Sequence, residues 1–370
     1  MKSKKLILLT IVTLLVFTAF FIQAFAEKEA VEKEEPKLIE KMTPKLVDTS
    51  EYKKNPPFTI GFDVYWLGNS WSVQFAEEFK YEASQHKDLI GDLIITDSEG
   101  KVAKQVNNIE DLIARNVDII VVTPLSESAL IPVFRKAKEK GIPIISNAIF
   151  IKTPEGRSLI VSQVNAGDFE FGRVIADWLA KKLNGQGNII ALSGMAGVET
   201  AELRWEGAMS VFKKYPGIKV LAHEYADWSY PKGKSVMASL LPAYPDIDGV
   251  WSGGAAMTRG AIEAFQEANR PLVPMTGEDN NGFLKVWLKL KQQGSSFDSI
   301  AASKPTYIGS EACRLALKVL QGEPVYDINI VAVPIITSKD LEKYVRPDLP
   351  DSLWLRTRLP EWKIKEIFKE

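Results

Sequence analysis

The sequence predicts an α/β fold built from two Rossmann-like parallel sheets, each flanked by helices. Three observations carry that expectation. Short apolar runs alternate with helix-spaced amphipathic stretches from about residue 58 to residue 303, the rhythm of right-handed strand–helix–strand units. The run Ile119–Val122 holds no polar residue, as a strand covered on both faces requires. The length, 370 residues, suits two sheets of moderate size better than one very wide sheet.

In chain order, Phe58–Val64 reads as the first strand. Trp71, Phe75, Phe79 and Ala83 then share one helical face. Residues 92–96 form the next strand, followed by a helix whose face is Val102, Val106, Ile109 and Ile113. After Ile119–Val122, a helix opens at Ser126 and ends at Gly141, and residues 142–146 make the fourth strand. Phe171, Val174, Ile175, Trp178 and Leu179 mark a helix in the second half. Residues 189–192, 219–225, 249–252 and 272–276 read as strands with helices between. The last of these stops at Gly277 and gives way to Glu278, Asp279, Asn280, Asn281 and Gly282. Phe283, Leu284, Trp287, Leu288 and Leu290 then resume at helical spacing. That polar turn lies at the carboxyl end of a strand, where open α/β sheets place their ligands.

Composition narrows the function. The chain has 46 basic and 47 acidic residues and a net charge of -1, so nucleic acid is not an expected partner. A mean hydropathy of -0.06 argues against a polytopic membrane protein. One cysteine, Cys313, excludes an internal disulfide, and two histidines far apart in sequence, His86 and His223, offer little to histidine-dependent catalysis. Lys2, Lys4 and Lys5 precede an apolar run over residues 6–22 and then Ala24, Phe25 and Ala26. These are the marks of an export signal over residues 1–26, cleaved after Ala26. An uncleaved anchor is the alternative, because the run nearly spans a bilayer. No cysteine follows it, so a soluble periplasmic product is expected, without a lipid anchor. Residues 27–55, rich in Glu and Lys, read as a charged leader, with packed structure from Pro56. Beyond Asp340, Pro347, Pro350 and Pro360 interrupt a tail carrying Trp354 and Trp362, expected to pack along one domain.

The strand ends collect the candidate site. Tyr65, Trp66, Asn69 and Trp71 follow the first strand, Thr123 the third and Asn147 the fourth. Gly194, Asp227 with Trp228, Gly253 with Gly254, Glu278 with Asp279, and Ser303 follow strands of the second half. Planar hydrogen-bonding groups and flat rings, with few lone charges, suit a polyhydroxylated ligand. Each has a structural alternative. Trp71 shares its face with Phe75 and Phe79, Asn69 can cap the helix beginning at Ser70, and Asp279 can cap its own helix. Arg204 is either a site residue or an exposed helix residue, and Trp251, inside a strand, reads as core.

From about residue 58 to residue 334 the chain resembles the ribose-binding-like group of periplasmic sugar-binding proteins, the receptors of ABC importers. GNSWSVQFAEEFKYEA, DLIARNVDIIVVTP, KGIPIIS, SGMAGVETAELRWEG, YADWSYPKG and VLQGEP carry the resemblance, in that order. It implies two similar lobes joined by a three-segment hinge, with the ligand in the cleft between them. The lobes would comprise residues 56–163 with 304–333, and residues 164–303 with 334–370. The crossings would fall near residues 163–165, 303–305 and 333–334. Carried over by position, Asn69 and Trp71 match cleft residues of the first lobe, and Arg204, Trp228 and Asp279 match those of the second. Thr123 falls where ribose-binding members have an asparagine. Asn147 with Ala148 stands for Asp-Arg, Gly254 for an asparagine, Ser303 for a glutamine and Glu278 for an aromatic residue. These departures argue against ribose itself and for a bulkier sugar, a polyol or a furanose-like ligand.

Rival chemistries fit less well. Gly185, Gln186 and Gly187 precede a strand where a dinucleotide fingerprint would follow one. Gly253 and Gly254 could cradle a phosphate, but the P-loop lysine is missing. A calcium loop from Asp279 would need an acid where Leu290 stands. No cofactor and no metal are therefore expected, and a sugar-phosphate enzyme is the weaker alternative. A repressor of this architecture needs a basic N-terminal helix-turn-helix, where this chain has an apolar run. The expected partners are a sugar or polyol and the transmembrane subunits of an ABC permease, with the receptor a monomer. A sensory role, through a chemoreceptor or in furanosyl signal uptake, stays open on these residues.

Overall fold

A computed structural model describes residues 42–369. The expected export signal and most of the charged leader lie outside the described residues. The first strand, β1 (Leu46–Val47), pairs antiparallel with β12 (Val325–Tyr326). Packed structure thus begins before Pro56. Thr49 is buried and its hydroxyl donates to the Glu323 carbonyl at 2.5 Å. Backbone pairing anchors this segment, which is why apolar periodicity gave no sign of it.

The first lobe holds a six-stranded sheet with β2 (Phe58–Val64), β3 (Ile90–Asp97), β4 (Ile119–Val122), β5 (Ile144–Asn147), β6 (Ser162–Ala166) and β13 (Ile328–Val331). Its order is β3-β2-β4-β5-β6-β13 and every pairing is parallel. Helix α1 (Ser70–Ser84) and α10 (Ile308–Gln321) cover one face; α2 (Val102–Ala114) and α3 (Glu127–Glu139) cover the other, with the short α4 (Pro154–Ser158) beside α3. Phe62 stacks on Phe79 at 4.2 Å and meets Phe75 edge-on at 5.9 Å, so the helical face read from the sequence is this core.

The second lobe repeats the plan with β7 (Gln186–Ser193), β8 (Gly217–Tyr225), β9 (Gly249–Ser252), β10 (Met275–Glu278), β11 (Ser299–Ala302) and β14 (Ile335–Thr337). The order is β8-β7-β9-β10-β11-β14, parallel except for β14 against β11. Helices α5 (Asp168–Lys182) and α6 (Glu199–Phe212) cover one face. Helices α7 (Tyr230–Ala243), α8 (Ala255–Glu267) and α9 (Asn281–Gln292) cover the other. Strand β10 starts and ends later than residues 272–276. Pro271 and Pro274 keep the start of the run out of the ladder, whereas Gly277 and Glu278 pair with Ala301 and Ala302.

The chain passes between the sheets at Gly167, at residues 303–307 and at residues 332–334. The first passage is later than residues 163–165, because β6 pairs with β13 through Ala166. The chain then crosses once more. After α11 (Leu341–Tyr344), residues 346–353 lie against α9, and α12 (Glu361–Ile367) lies against α1. The tail therefore packs on both lobes instead of one. Among the described residues no helix is long and apolar enough to cross a membrane.

Candidate functional site

Helix packing sets the first part of the site. Gly172 of α5 and Gly207 of α6 bring these helices into backbone contact: a Cβ at Gly172 would lie 1.7 Å from the Arg204 carbonyl oxygen, and one at Gly207 2.0 Å from that of Phe169. That approach lays the Arg204 guanidinium over Phe171, 3.7 Å from the ring centroid. Arg204 is almost fully buried and engages Asp168 (3.2 Å), Glu278 (2.9 Å) and the Gly253 carbonyl (2.7 Å). Burial opposes its charge, but the Glu278 and Asp168 carboxylates hold its pKa above the ordinary value.

Lys304, in the second passage between the sheets, completes an ion cluster. Its ammonium donates to Asp168 (2.6 Å), to the Ala148 carbonyl of the first lobe (2.8 Å) and to the Thr200 hydroxyl (3.3 Å). Burial lowers its pKa and Asp168 counters that; burial likewise raises Glu278, against the pull of Arg204. Asp168, Thr200 and Lys304 escaped the sequence reading. Their only sequence signal is position, since each lies at or beside a passage or a strand end. The expectation of few lone charges is corrected by pairing: two cations and two carboxylates neutralise one another out of water.

Of the expected first-lobe residues, Trp71 touches this cluster. The Trp71 indole N–H donates to the Lys304 carbonyl at 2.8 Å, with the Lys304 ammonium 5.9 Å from its ring centroid. Trp71 also stacks on Phe75 at 5.1 Å, so core packing and site membership hold together. Asn69 caps α1, its Oδ1 accepting from the Ser72 amide at 2.8 Å. The Tyr65 hydroxyl shares a 2.8 Å hydrogen bond with Ser72. Thr123 donates to the Asn147 Oδ1 at 2.7 Å, both residues being fully buried. Trp66 folds back over Gly68, and among the described residues no hydrogen bond ties it to the cluster.

In the second lobe, Asp227 and Trp228 adopt φ of 55° and 51°, which turns the chain back after β8. The Trp228 indole donates to the Gly253 carbonyl at 3.2 Å, the acceptor it shares with Arg204. Gly194 and Gly254 leave the room it occupies: a Cβ there would lie 2.1 Å and 2.5 Å from ring atoms. A side chain at Gly254 would therefore meet the Trp228 ring. Asp279 does not cap α9; Asn280 does, its Oδ1 accepting from the Phe283 amide at 3.3 Å.

Asp279 is buried, and neither carboxylate oxygen has a hydrogen-bond partner of good geometry. Burial pushes its pKa up to about 7, with the Ser303 hydroxyl pulling down and Glu278 adding to the rise. The Asn147 Nδ2 is also buried without a partner, and the buried Ser303 hydroxyl, close enough to act on Asp279, has none of good geometry. Two acceptors, one donor and one hydroxyl therefore await complements beside a neutralised ion cluster. Lys152 after β5 pairs with Glu199 at the start of α6 at 3.0 Å, bridging the lobes. Among the described residues no group of three or more His, Cys, Asp or Glu is placed to hold a metal ion.

Comparison with known proteins agrees with this architecture. A family model described as a periplasmic binding protein domain matches residues 60–324. The ribose import binding protein RbsB of Salmonella typhimurium is 30% identical over 268 residues, 72% of this chain and 86% of its own. A xylitol-binding protein of Mycolicibacterium smegmatis is 29% identical over 252 residues, 68% of this chain and 70% of its own. A solved ABC transporter periplasmic solute binding protein from Actinobacillus succinogenes 130z, with bound D-allose, superposes with a TM-score of 0.68 at 27% identity. That match covers 77% of this chain and 99% of the other.

Proposed function

The chain belongs to the family of periplasmic binding protein domains, and from that premise we propose that it captures a monosaccharide, polyol or sugar-like ligand between its lobes and delivers it to an ABC permease. The observation that carries this reading is the set of buried polar atoms without partners of good geometry on Asn147, Asp279 and Ser303, drawn from both lobes and a passage between them. A buried donor or acceptor left unpaired costs about 1–3 kcal/mol, so a ligand that pairs several recovers that sum. Hydroxyl groups do so best, because each both donates and accepts. Donation to Asp279 and acceptance from Asn147 complement what is unpaired on either side.

The ion cluster favours an uncharged ligand. Arg204 and Lys304 already face Asp168 and Glu278, so the strong charges are spent on one another and neutral hydrogen-bonding atoms are left. Trp71 and Trp228 offer flat apolar faces for the C–H side of a ring, worth about 25 cal/mol per Å² covered. A micromolar complex needs only about -8 kcal/mol net. The relatives named for ribose and xylitol, and the solved neighbour holding D-allose, support the same ligand class. Binding involves no covalent step. Ligand engages one lobe, rotation at the passages closes the cleft, and closure follows because groups of both lobes bind better when brought together. Export by removal of residues 1–26 would place the receptor in the periplasm.

A thermal-shift screen over aldoses, polyols and furanosyl compounds tests the proposal. The expected result is one class that stabilises the protein by about 2.7 kcal/mol at a hundredfold excess over Kd. Asp279→Ala and Asn147→Ala should abolish that shift. Stabilisation that survives both substitutions would overturn the site, and silence across every class would overturn the function.

A further inference from the structure

The tail beyond α11 makes a connection between the lobes that the ligand reading leaves unused. Its first half is seated on the second lobe. The Asn281 side chain donates to the carbonyls of Arg346 (2.8 Å), Leu349 (3.1 Å) and Pro350 (3.0 Å) and accepts from the Arg346 amide (3.0 Å). Its second half is seated on the first lobe, where Glu78 accepts from Thr357 (2.5 Å) and the Arg358 amide (3.0 Å), and Lys363 pairs with Glu77 (3.1 Å). Trp354 is the junction.

The junction is gripped from both sides. Gln74 of α1, fully buried, forms a two-way clamp: its Nε2 donates to the Trp354 carbonyl at 2.8 Å and its Oε1 accepts from the Trp354 amide at 2.9 Å. The same Nε2 donates to Thr306, in the second passage, at 2.9 Å. On the other side Trp354 forms an antiparallel bridge with Asn280, and the Leu355 amide donates to the Asp279 carbonyl at 3.2 Å. One buried carboxamide on the first lobe thereby reaches the backbone of Asp279 on the second through a single peptide of the tail.

We propose that Gln74 is a positioning residue: through Trp354 it fixes Asp279 against the first lobe and makes the tail a fourth connection between the lobes that limits how far the cleft opens. Rotation at three passages must carry this fourth with it, and the clamp lies beside the second passage, where the required displacement is smallest. Opening is restrained while ligand entry is preserved.

The test needs no sugar, so its outcome is independent of the ligand reading. Spin labels at Lys140→Cys in the first lobe and Gln266→Cys in the second, both exposed, report the interlobe distance in the full-length protein; the native Cys313 is buried. The ligand-free parent should give one narrow distribution. Gln74→Ala and Asn281→Ala, which release the tail from the first and the second lobe respectively, should each shift it to longer distances and broaden it. Distributions that coincide with the parent in either folded variant, even with a lower Tm, would show that the tail only stabilises and would overturn the proposal. If one variant fails to fold, the other decides.

Discussion

At the scale of residues, the site combines satisfied charge with unsatisfied polarity. Arg204 has hydrogen-bond partners on three sides, and Asp279 has none of good geometry. Two predictions separate these roles. Asp279 is held at about 7 in the folded chain against an ordinary 3.8, so its contribution to stability is full below about pH 4 and is lost as pH rises through about 7. The loss amounts to at most about 4 kcal/mol. Thermal unfolding of ligand-free Asp279→Asn between pH 5 and pH 8 should therefore show a shallower decline than the parent, and a higher Tm at pH 8. Arg204→Ala acts oppositely. It strands Glu278 in the interior, leaves Asp168 to Lys304 alone, and should cost about 3–5 kcal/mol in urea unfolding, with or without ligand.

Elements explain how these residues are delivered. The helix pair α5 and α6 approaches closely only because Gly172 and Gly207 carry no side chain. A methyl group at Gly172 would meet the Arg204 backbone, so Gly172→Ala should force the helices apart, shift the guanidinium off Phe171 and cost about 1–3 kcal/mol or more. Chemical denaturation measures the loss, and a crystal structure of the variant would show the displaced Arg204. At α1 the alternatives for Asn69 can be parted by substitution. Asn69→Ser preserves a capping oxygen, whereas Asn69→Ala removes it at a cost of about 1 kcal/mol. If Asn69 also contacts ligand, both variants bind more weakly, but only the second melts earlier.

For the whole molecule, two sheets of like plan meet across a cleft that Lys152 and Glu199 bridge and that Lys304 links from a passage between them. A ligand there contacts both lobes at once, which is the requirement for closure driven by binding. The proposed export belongs to this scale too. Mass spectrometry of protein recovered from the periplasm should give an N-terminus at Glu27; a mass retaining residues 1–26 would favour the membrane anchor instead.

The sequence by itself determined the alternation of strands and helices, the two-sheet plan and the strand-end positions of Asn147, Trp228 and Asp279, because each follows from local periodicity along the chain. It left open whether Asn69, Trp71 and Asp279 serve packing, capping or the cleft, since one side chain can satisfy several local rules. Tertiary structure decided the packing and capping among them. It gave the cap of α9 to Asn280 and that of α1 to Asn69, seated Trp71 on both Phe75 and Lys304, and filled the space above Gly254 with Trp228. It also placed Asp168, Lys304 and Gln74, whose partners lie 36, 136 and 280 residues away along the chain. Pairing over such separations leaves no periodic trace, because charge and hydrogen-bond complementarity arise only when the folded backbone brings distant groups into a region that water has left.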